Sequence, residues 1–181
     1  GVVGVGPGVV GGAGGVVVPQ GFGLNGLAPG DRDPAFGPDT VLFGVCNCGR
    51  SDDGLGWAFL DRVLEETGFP GQVEYRYQLQ VEDAALARRA GRVLFVDSHH
   101  GALPGGFRWE RCSPSGDFEF TSHVLPPQAV LFLCQDLYGA TPRADLLTIQ
   151  GTSWNLNNGL SPEAECNLDG AVRFFRDLVP A

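Results

Sequence analysis

Two acidic positions in the sequence could bring carboxylates to a cation. Asp52 and Asp53 lie in residues 51–56 (SDDGLG), which follow an apolar run, and Asp97 follows four apolar residues at 93–96. Adjacent carboxylates repel phosphate, and the chain has no Gly-Lys-Ser or Gly-Lys-Thr loop, so this pattern favours a cation over a nucleotide. Each acid taken alone can also be explained as a cap, for the helix that follows Asp52 and Asp53 or for the turn that follows Asp97.

A histidine could complete the set of metal donors. His123 precedes a proline-started helix, and imidazole is the usual partner of carboxylates around a borderline transition metal. His99 and His100 directly follow Asp97 and compete for this role. Adjacent side chains at the end of a strand diverge, so at most one of these two would face Asp97. A lone histidine in a loop is also common at a solvated surface, and that interpretation stays open.

The cysteines give a weak metal signal. They stand at positions 46, 48, 112, 134 and 166, an odd number that cannot all pair within the chain. Cys46 and Cys48 could bind a soft metal, but structural or incidental thiols in a reducing cytoplasm are the simpler interpretation. Neither a Gly-x-Ser-x-Gly nor a His-Glu-x-x-His motif occurs, which removes two common classes of hydrolase.

Short apolar runs alternate with amphipathic stretches from residue 40 onward, which is typical of an α/β domain. The pattern predicts strands at 41–46, 72–78, 92–97, 107–112 and 144–150, and helices at 55–67, 81–90, 128–138 and 162–178, the last with Ser161 as its N-cap. Glycine and proline at 101–106 leave a short connection, so the fourth strand is expected to run antiparallel. Ligands gather at the carboxyl ends of such strands, so Asp53 and Asp97 would share one crevice if the first and third strands are neighbours.

Composition limits the remaining function classes. The chain has 181 residues, of which 43% are hydrophobic, enough for the core of one domain. Its net charge of −9 argues against binding nucleic acid or an anionic membrane, and no stretch approaches the roughly 20 apolar residues that span a bilayer. Residues 1–38 are rich in glycine without periodicity and predict a flexible tail, whereas residues 39–181 form the domain. We therefore expect a cytoplasmic monomer that binds neither nucleic acid nor a membrane.

Several of these segments, taken in order, resemble one known family. Residues 41–47 (VLFGVCN) followed by 51–56 (SDDGLG) are similar to the opening motif of the hydrogenase maturation proteases. The segments at 77–79 (YQL), 95–97 (FVD), 122–123 (SH) and 159–162 (GLSP) are similar to later motifs of that family, in the same order. The resemblance covers the chain from about residue 40 to its end, and it departs from the family at Cys46, where glycine is usual.

The resemblance implies an activity and a site. Members of the family remove a C-terminal extension from the large-subunit precursor of nickel-containing hydrogenases after nickel insertion. By resemblance, Asp53 would contact the metal, with Asp97 and His123 as its partners, and Asp52 would be structural. The same three residues would be the catalytic and the metal-binding set, with the general base unassigned. The nickel would be carried by the substrate, whose cysteines supply the soft ligands, and no organic cofactor is implied.

The resemblance also implies a fold. It is a three-layer α/β/α sandwich with a five-stranded mixed sheet of order 2-1-3-5-4, in which strand 4 is antiparallel. The strand count and the direction of strand 4 agree with the pattern of the sequence itself. Two other functions stay open: a non-catalytic metal-binding or chaperone module on the same fold, using His99, His100 and the cysteines, and a flavodoxin-like domain for a small cofactor.

Overall fold

The computed structural model describes residues 36–46, 49–117, 125–156 and 159–180. In this part of the chain, five strands form one sheet and four α-helices cover it. The strands are β1 (Thr40–Val45), β2 (Gln72–Arg76), β3 (Arg92–His99), β4 (Phe107–Cys112) and β5 (Arg143–Gln150), and the helices are α1 (Leu55–Glu66), α2 (Asp83–Ala87), α3 (Pro127–Tyr138) and α4 (Pro162–Arg176). A 3-10 turn, Ser51–Gly54, leads directly into α1.

The sheet has the order β2-β1-β3-β5-β4. β1 pairs in parallel with both β2 and β3, β3 pairs in parallel with β5, and β4 is antiparallel to β5. The predicted mixed sheet, its order and the direction of its fourth strand are therefore confirmed. β1 and β3 are neighbours, which is the condition for Asp53 and Asp97 to share a crevice.

Hydrophobic side chains divide into one core on each face of the sheet. Leu42, Leu94 and Val96 lie on the face covered by α1 and α4. Phe43 and Phe95 lie on the opposite face, which α2 and α3 cover. Alternate residues of β1 and β3 thus point to opposite cores, as strand geometry requires, and the molecule has three layers.

Two glycines bring α1 unusually close to the sheet. A Cβ added at Gly56 would lie 2.1 Å from the carbonyl oxygen of Val45 and 2.9 Å from that of Val96. A Cβ added at Gly44 would lie 2.7 Å from the carbonyl oxygen of Gly56. The first turn of α1 therefore rests directly on the ends of β1 and β3, and this contact places the 3-10 turn over the same edge of the sheet.

β3 and α2 differ from their predicted lengths for identifiable reasons, while β2 and α4 each end two residues before the predicted position. β3 continues through Ser98 to His99, because β5 extends to Gln150 and offers partners for these residues. The helix predicted at 81–90 is shorter and spans only α2, Asp83–Ala87. At its start the Asp83 carboxylate accepts the Gln80 N–H at 2.9 Å, and at its end residues 88–90 form turn hydrogen bonds. The expectation that Asp97 ends its strand is wrong, because Asp97 is paired with Thr148 inside the sheet.

The described chain begins in the core. Phe36 is completely buried and packs edge-on against Phe175, with ring centroids 4.9 Å apart. The boundary predicted after residue 38 therefore lies slightly inside the packed domain. The tail predicted for residues 1–38 otherwise falls outside the described residues and stays a prediction. None of the helices described is long and apolar enough to cross a membrane.

Candidate active site

The candidate site lies at the carboxyl ends of β1 and β3. The chain leaves β1 toward β2 on one side of the sheet, whereas the chain after β3 continues toward β5 and β4 on the other. Such a reversal opens a crevice between two neighbouring strands, and it is the usual place for ligands in an open α/β sheet. The 3-10 turn with Asp53 approaches this crevice from the β1 side, and Asp97 approaches it from β3.

A hydrogen bond through Ser98 joins the two sides of the crevice. The Ser98 hydroxyl donates to Asp53 Oδ1 at 3.0 Å, and the Ser98 backbone N–H donates to Asp97 Oδ1 at 2.8 Å. Ser98 follows Val96 on the α1 face of the sheet, whereas Asp97 follows Phe95 on the α3 face. One residue thus holds both candidate carboxylates, and the sequence analysis did not single it out.

The Asp97 carboxyl group has a raised pKa, which suits it to exchange a proton near neutral pH. Burial, together with the nearby charge of Asp53, raises the pKa of Asp97 to about 6, although the N–H of Ser98 acts in the opposite direction. The group is half-buried and remains at the open end of the strand. A carboxyl group with a pKa close to the working pH can serve as a general acid or a general base.

Asp52 has a structural environment that differs completely from that of Asp53. It is fully buried, and its carboxylate accepts the backbone N–H groups of Thr152 and Ser153 at 2.7 Å each. It also accepts the N–H of Ser161 at 2.6 Å and its hydroxyl at 2.7 Å. Burial alone would raise the pKa of Asp52, but these four hydrogen bonds lower it. The side chain is held as a carboxylate.

Asp52 therefore fastens the turn before α1 to the loop after β5 and to the start of α4. The Ser161 hydroxyl also accepts the N–H of Ala164 at 3.2 Å and so caps α4, as predicted. The N-cap of α1 is Gly54, which has no side chain. Neither Asp52 nor Asp53 caps α1, so the alternative that an acid is present only for that purpose is not supported.

Thr148 is a second residue that the sequence analysis missed. It is the register partner of Asp97 in β5, so the two side chains stand on the same face of the sheet. Its hydroxyl oxygen is buried and has no hydrogen-bond partner among the described residues. A threonine between the apolar residues Leu147 and Ile149 was the available signal, although strand propensity alone explains threonine there.

His99 and His100 form no three-residue ligand group with the two acids among the residues that the structure describes. The His100 ring stacks on Trp154, with centroids 3.4 Å apart and planes 14° apart. The His99 carbonyl accepts the N–H of Gly151 at 3.0 Å, and its ring lies against Gly101. His123 lies outside the described residues, so its predicted role stays a prediction.

The two carboxylates do not by themselves make a resident metal site. Among residues 36–46, 49–117, 125–156 and 159–180, there is no group of three or more His, Cys, Asp or Glu side chains that could hold a metal ion. Asp53 and Asp97 supply oxygen donors, which bind a borderline metal weakly without nitrogen or sulfur ligands. The donor set fits a metal whose other ligands come from elsewhere.

The described cysteines do not supply those ligands. Cys112, Cys134 and Cys166 are free. Burial, reinforced by Asp145 and Glu110, raises the pKa of the Cys112 thiol to about 11, and burial raises that of Cys134. Both are therefore protonated at neutral pH and are poor ligands. Cys46, directly after β1, is buried and disulfide-bonded.

Comparison with known proteins gives structural matches only. No protein-family model matches the chain, and a search of the curated proteins found no match. The hydrogenase maturating endopeptidase HybD from E. coli has a TM-score of 0.60 at 16% identity, over 75% of this chain and 88% of that chain. The [NiFe] hydrogenase maturation protease HycI from Thermococcus kodakarensis has a TM-score of 0.60 at 20% identity, over 81% and 94%.

A third solved structure, a hydrogenase 3 maturation protease, has a TM-score of 0.55 at 21% identity, over 80% of this chain and 92% of that chain. At these identities the likeness establishes the fold. The described chain therefore has the α/β fold that hydrogenase maturation proteases use, over nearly the whole length of those proteins.

Proposed function

We propose that this protein is an endopeptidase of hydrogenase maturation, which removes the C-terminal extension of a nickel-containing hydrogenase large subunit after nickel insertion. The observation that carries the proposal is the pair of carboxylates, Asp53 and Asp97, held together by Ser98 at the crevice between β1 and β3. The fold shared with hydrogenase maturation proteases and the ordered sequence motifs support the same activity.

Nickel enters this proposal as part of the substrate. Asp53, Asp97 and His123 would contact the nickel of the precursor, while the precursor itself provides the softer ligands. An incomplete oxygen donor set favours this arrangement, because such a set holds little metal alone and gains affinity when the partner supplies the rest. Binding would then report that the nickel is in place before the peptide bond is cut.

Asp97 is the better of the two acids for proton transfer. With a pKa of about 6, it is ionised in most molecules at pH 7 and can accept a proton from an attacking water. The water oxygen bonds to the carbonyl carbon, the C–N bond breaks, and the proton held by Asp97 passes to the leaving amine. Asp53, bonded to the Ser98 hydroxyl, would orient the substrate's metal.

The wider setting of the proposal follows from the sequence. We infer a cytoplasmic monomer that needs no organic cofactor and binds neither nucleic acid nor a membrane, with the large-subunit precursor as its partner. The alternative of a metal-binding module has less support, because His99 and His100 form no three-residue ligand cluster with the acids in the described chain.

Cleavage by variants tests the site assignment. A nickel-loaded large-subunit precursor is incubated with the wild-type protein and with Asp53→Ala, Asp97→Ala and His123→Ala. We expect the wild type to shorten the precursor and Asp97→Ala to lose at least about a hundredfold in rate, the usual cost of removing a general base. Asp53→Ala and His123→Ala should also cleave much more slowly, because each loses a proposed contact to the substrate's nickel. His100→Ala is the matched control, because that ring stacks on Trp154 and is not one of the three proposed site residues. Full cleavage by all three site variants would contradict the assignment.

A further inference from the structure

Three aromatic side chains form a shelf beside the candidate site, and we call Trp57, Tyr75 and Tyr77 the aromatic shelf. Trp57 lies in the first turn of α1, Tyr75 lies in β2, and Tyr77 directly follows that strand. The Trp57 ring meets Tyr75 edge-on at 5.4 Å and Tyr77 at 5.1 Å between centroids. The Trp57 indole N–H donates to the carbonyl of Arg76 at 3.0 Å, so the Trp57 ring, which contacts both tyrosines, is anchored.

The shelf leaves aromatic surface open to solvent. Tyr77 is 68% exposed, and Val81, a few residues along the chain, is 51% exposed. Exposed aromatic rings that are held rigidly lose little entropy on binding and are enriched at protein interfaces. The exposure of Tyr77 is therefore better evidence for a binding surface than the exposure of a single aliphatic side chain would be.

The shelf is continuous with the candidate site. Trp57 follows Asp53 by four residues, one turn along the chain into α1. β2 is the edge strand beside β1, and Val45 pairs with Arg76 at the carboxyl end of both strands. A peptide that reached Asp53 and Asp97 across β1 would pass the shelf next.

The surroundings of the shelf are negatively charged. The Tyr75 hydroxyl donates to Asp61 at 2.6 Å. Burial, this bond, and the charges of Asp61 and Glu65 raise the pKa of Tyr75 to about 12. The adjacent cation, Arg76, is engaged with Glu74 at 2.8 Å and with Asp83 at 2.9 Å. A negative field over an aromatic surface favours a cationic group.

Tyr138, another exposed tyrosine, makes a cation–π contact within this chain. The guanidinium of Arg88 lies over the ring of Tyr138, 4.6 Å from its centroid. Among the described residues, no arginine lies over Tyr77 or Trp57 in this way. The shelf thus has the aromatic face and the nearby carboxylates of a cation–π site, and its cation is missing from the described chain.

We propose that the aromatic shelf binds an arginine or lysine side chain of the substrate, in the extended segment of the large-subunit precursor that flanks its cleavage point. The partner rests on the proposed function. The cationic chemistry rests on the shelf itself: an anchored indole ring, exposed aromatic surface and acidic neighbours. The shelf would fix the direction in which the segment enters the crevice, and Tyr77 is a substrate-binding residue in this scheme.

Steady-state cleavage of the nickel-loaded precursor tests the proposal. Tyr77→Ala is expected to raise KM about tenfold with little change in kcat, because a cation–π contact on a partly desolvated ring is lost. Tyr77→Phe keeps the ring and should behave as the wild type does. Tyr138→Ala is the matched control, an exposed tyrosine whose ring already carries Arg88. Tyr77 is largely exposed, so its replacement leaves folding intact.

A change in the substrate completes the test. Replacing the arginine and lysine residues nearest to the cleavage point of the precursor with glutamine should raise KM for the wild type and have no further effect with Tyr77→Ala. Equal KM values for Tyr77→Ala and Tyr138→Ala, or additive effects of the two changes, would overturn the proposal. A change in the sedimentation of the protein alone on Tyr77→Ala would also overturn it, in favour of a second copy as the occupant.

The two proposals fail in different ways. If the wild type cleaves no nickel-loaded precursor, the proposed function is wrong, and the shelf is then tested by the binding of the fluorescently labelled precursor to the same variants. Weaker binding to Tyr77→Ala than to Tyr138→Ala would still support the shelf, and equal binding would overturn it. Cleavage by the wild type with unchanged KM in Tyr77→Ala would overturn the shelf alone.

Discussion

At the scale of single residues, Asp52 and Asp53 show how neighbouring acids acquire different roles. The carboxylate of Asp52 receives four hydrogen bonds in a buried position, whereas Asp53 is bonded to the Ser98 hydroxyl at the open crevice. A buried carboxylate that satisfies several backbone N–H groups contributes to stability. A carboxylate at an open crevice beside a second acid is available for the proposed chemistry, and such an arrangement usually costs some stability.

Isosteric amide substitutions separate these two roles. Asp52→Asn should reduce the free energy of unfolding by about 2–4 kcal/mol, because it removes charge-assisted bonds and turns an amide group toward N–H donors. Asp53→Asn should change it by less than about 1 kcal/mol and should abolish cleavage. Urea denaturation of both variants checks this prediction, and equal losses of stability in the two would contradict the assignment of roles.

The raised pKa of Asp97 predicts how stability depends on pH. The folded state binds this proton more tightly than the unfolded state does, because the pKa rises from 3.8 to about 6. Between about pH 4 and 6 the folded protein therefore carries more protons, and the contribution of Asp97 to stability falls as the pH rises. Above that window, ionised Asp97 destabilises the fold.

Asp97→Asn should remove this effect. Relative to the wild type, the variant should gain stability from pH 4 to pH 7, by about 1–3 kcal/mol in total. The measurement is the free energy of unfolding of both proteins at several pH values in this range. Parallel profiles for the variant and the wild type would show that Asp97 titrates at its ordinary pKa.

At the scale of elements, the contact between α1 and β1 determines where the site residues lie. The 3-10 turn reaches the ends of β1 and β3 only because Gly44 and Gly56 allow two backbones to touch. This contact explains one of the two glycines of the SDDGLG segment, Gly56. The last glycine is needed for packing, whereas Gly54 has open space, with Leu160 Cδ2 4.0 Å from an added Cβ.

Two alanine substitutions in the same segment test this contact. Gly56→Ala should cost about 3 kcal/mol or more, because the new methyl group meets the backbone of β1 and β3 and cannot be relieved by a rotamer change. Gly54→Ala should stay within about 0.5 kcal/mol of the wild type or be slightly stabilising, since its φ of −78° suits alanine. Thermal unfolding distinguishes them, and similar midpoints would contradict the packing described here.

The elements also show what local sequence can and cannot predict. β1 and β3 are buried on both faces, and such strands have apolar runs that are easily identified. The extension of β3 through Ser98 was missed because polar residues at 97–99 resemble the end of a strand, and only the pairing with β5 keeps them in the sheet. The partners of Asp52 lie about a hundred residues away, at 152, 153 and 161, and no local pattern could identify them.

At the scale of the whole molecule, the fold brings distant parts of the chain to one edge of the sheet. Loops after β1, β3 and β5 meet there, tied together by Ser98 and Asp52, and the aromatic shelf of Trp57, Tyr75 and Tyr77 borders them. At the opposite end of the sheet, a buried ion pair between Arg92 and Asp145 joins β3 to β5 at 2.7 Å. The proposed function therefore places the chemistry at the carboxyl edge of the sheet.

This architecture suits a protein that inspects a partner before cutting it. Two carboxylates at an open crevice can meet a metal carried by another protein, and the acidic aromatic shelf beside them can hold an extended segment. The net charge of −9 would favour encounter with a cationic region of the partner. The same acids leave too few donors in the described chain for a resident metal.

The most direct test of the central claim is the mass of the large-subunit precursor after incubation with the wild-type protein, with and without nickel. The proposed endopeptidase should shorten the nickel-loaded precursor by its C-terminal extension and leave the nickel-free precursor intact. An unchanged mass in both samples would contradict the peptidase activity. Equal shortening of both would contradict the recognition of substrate nickel by Asp53, Asp97 and His123.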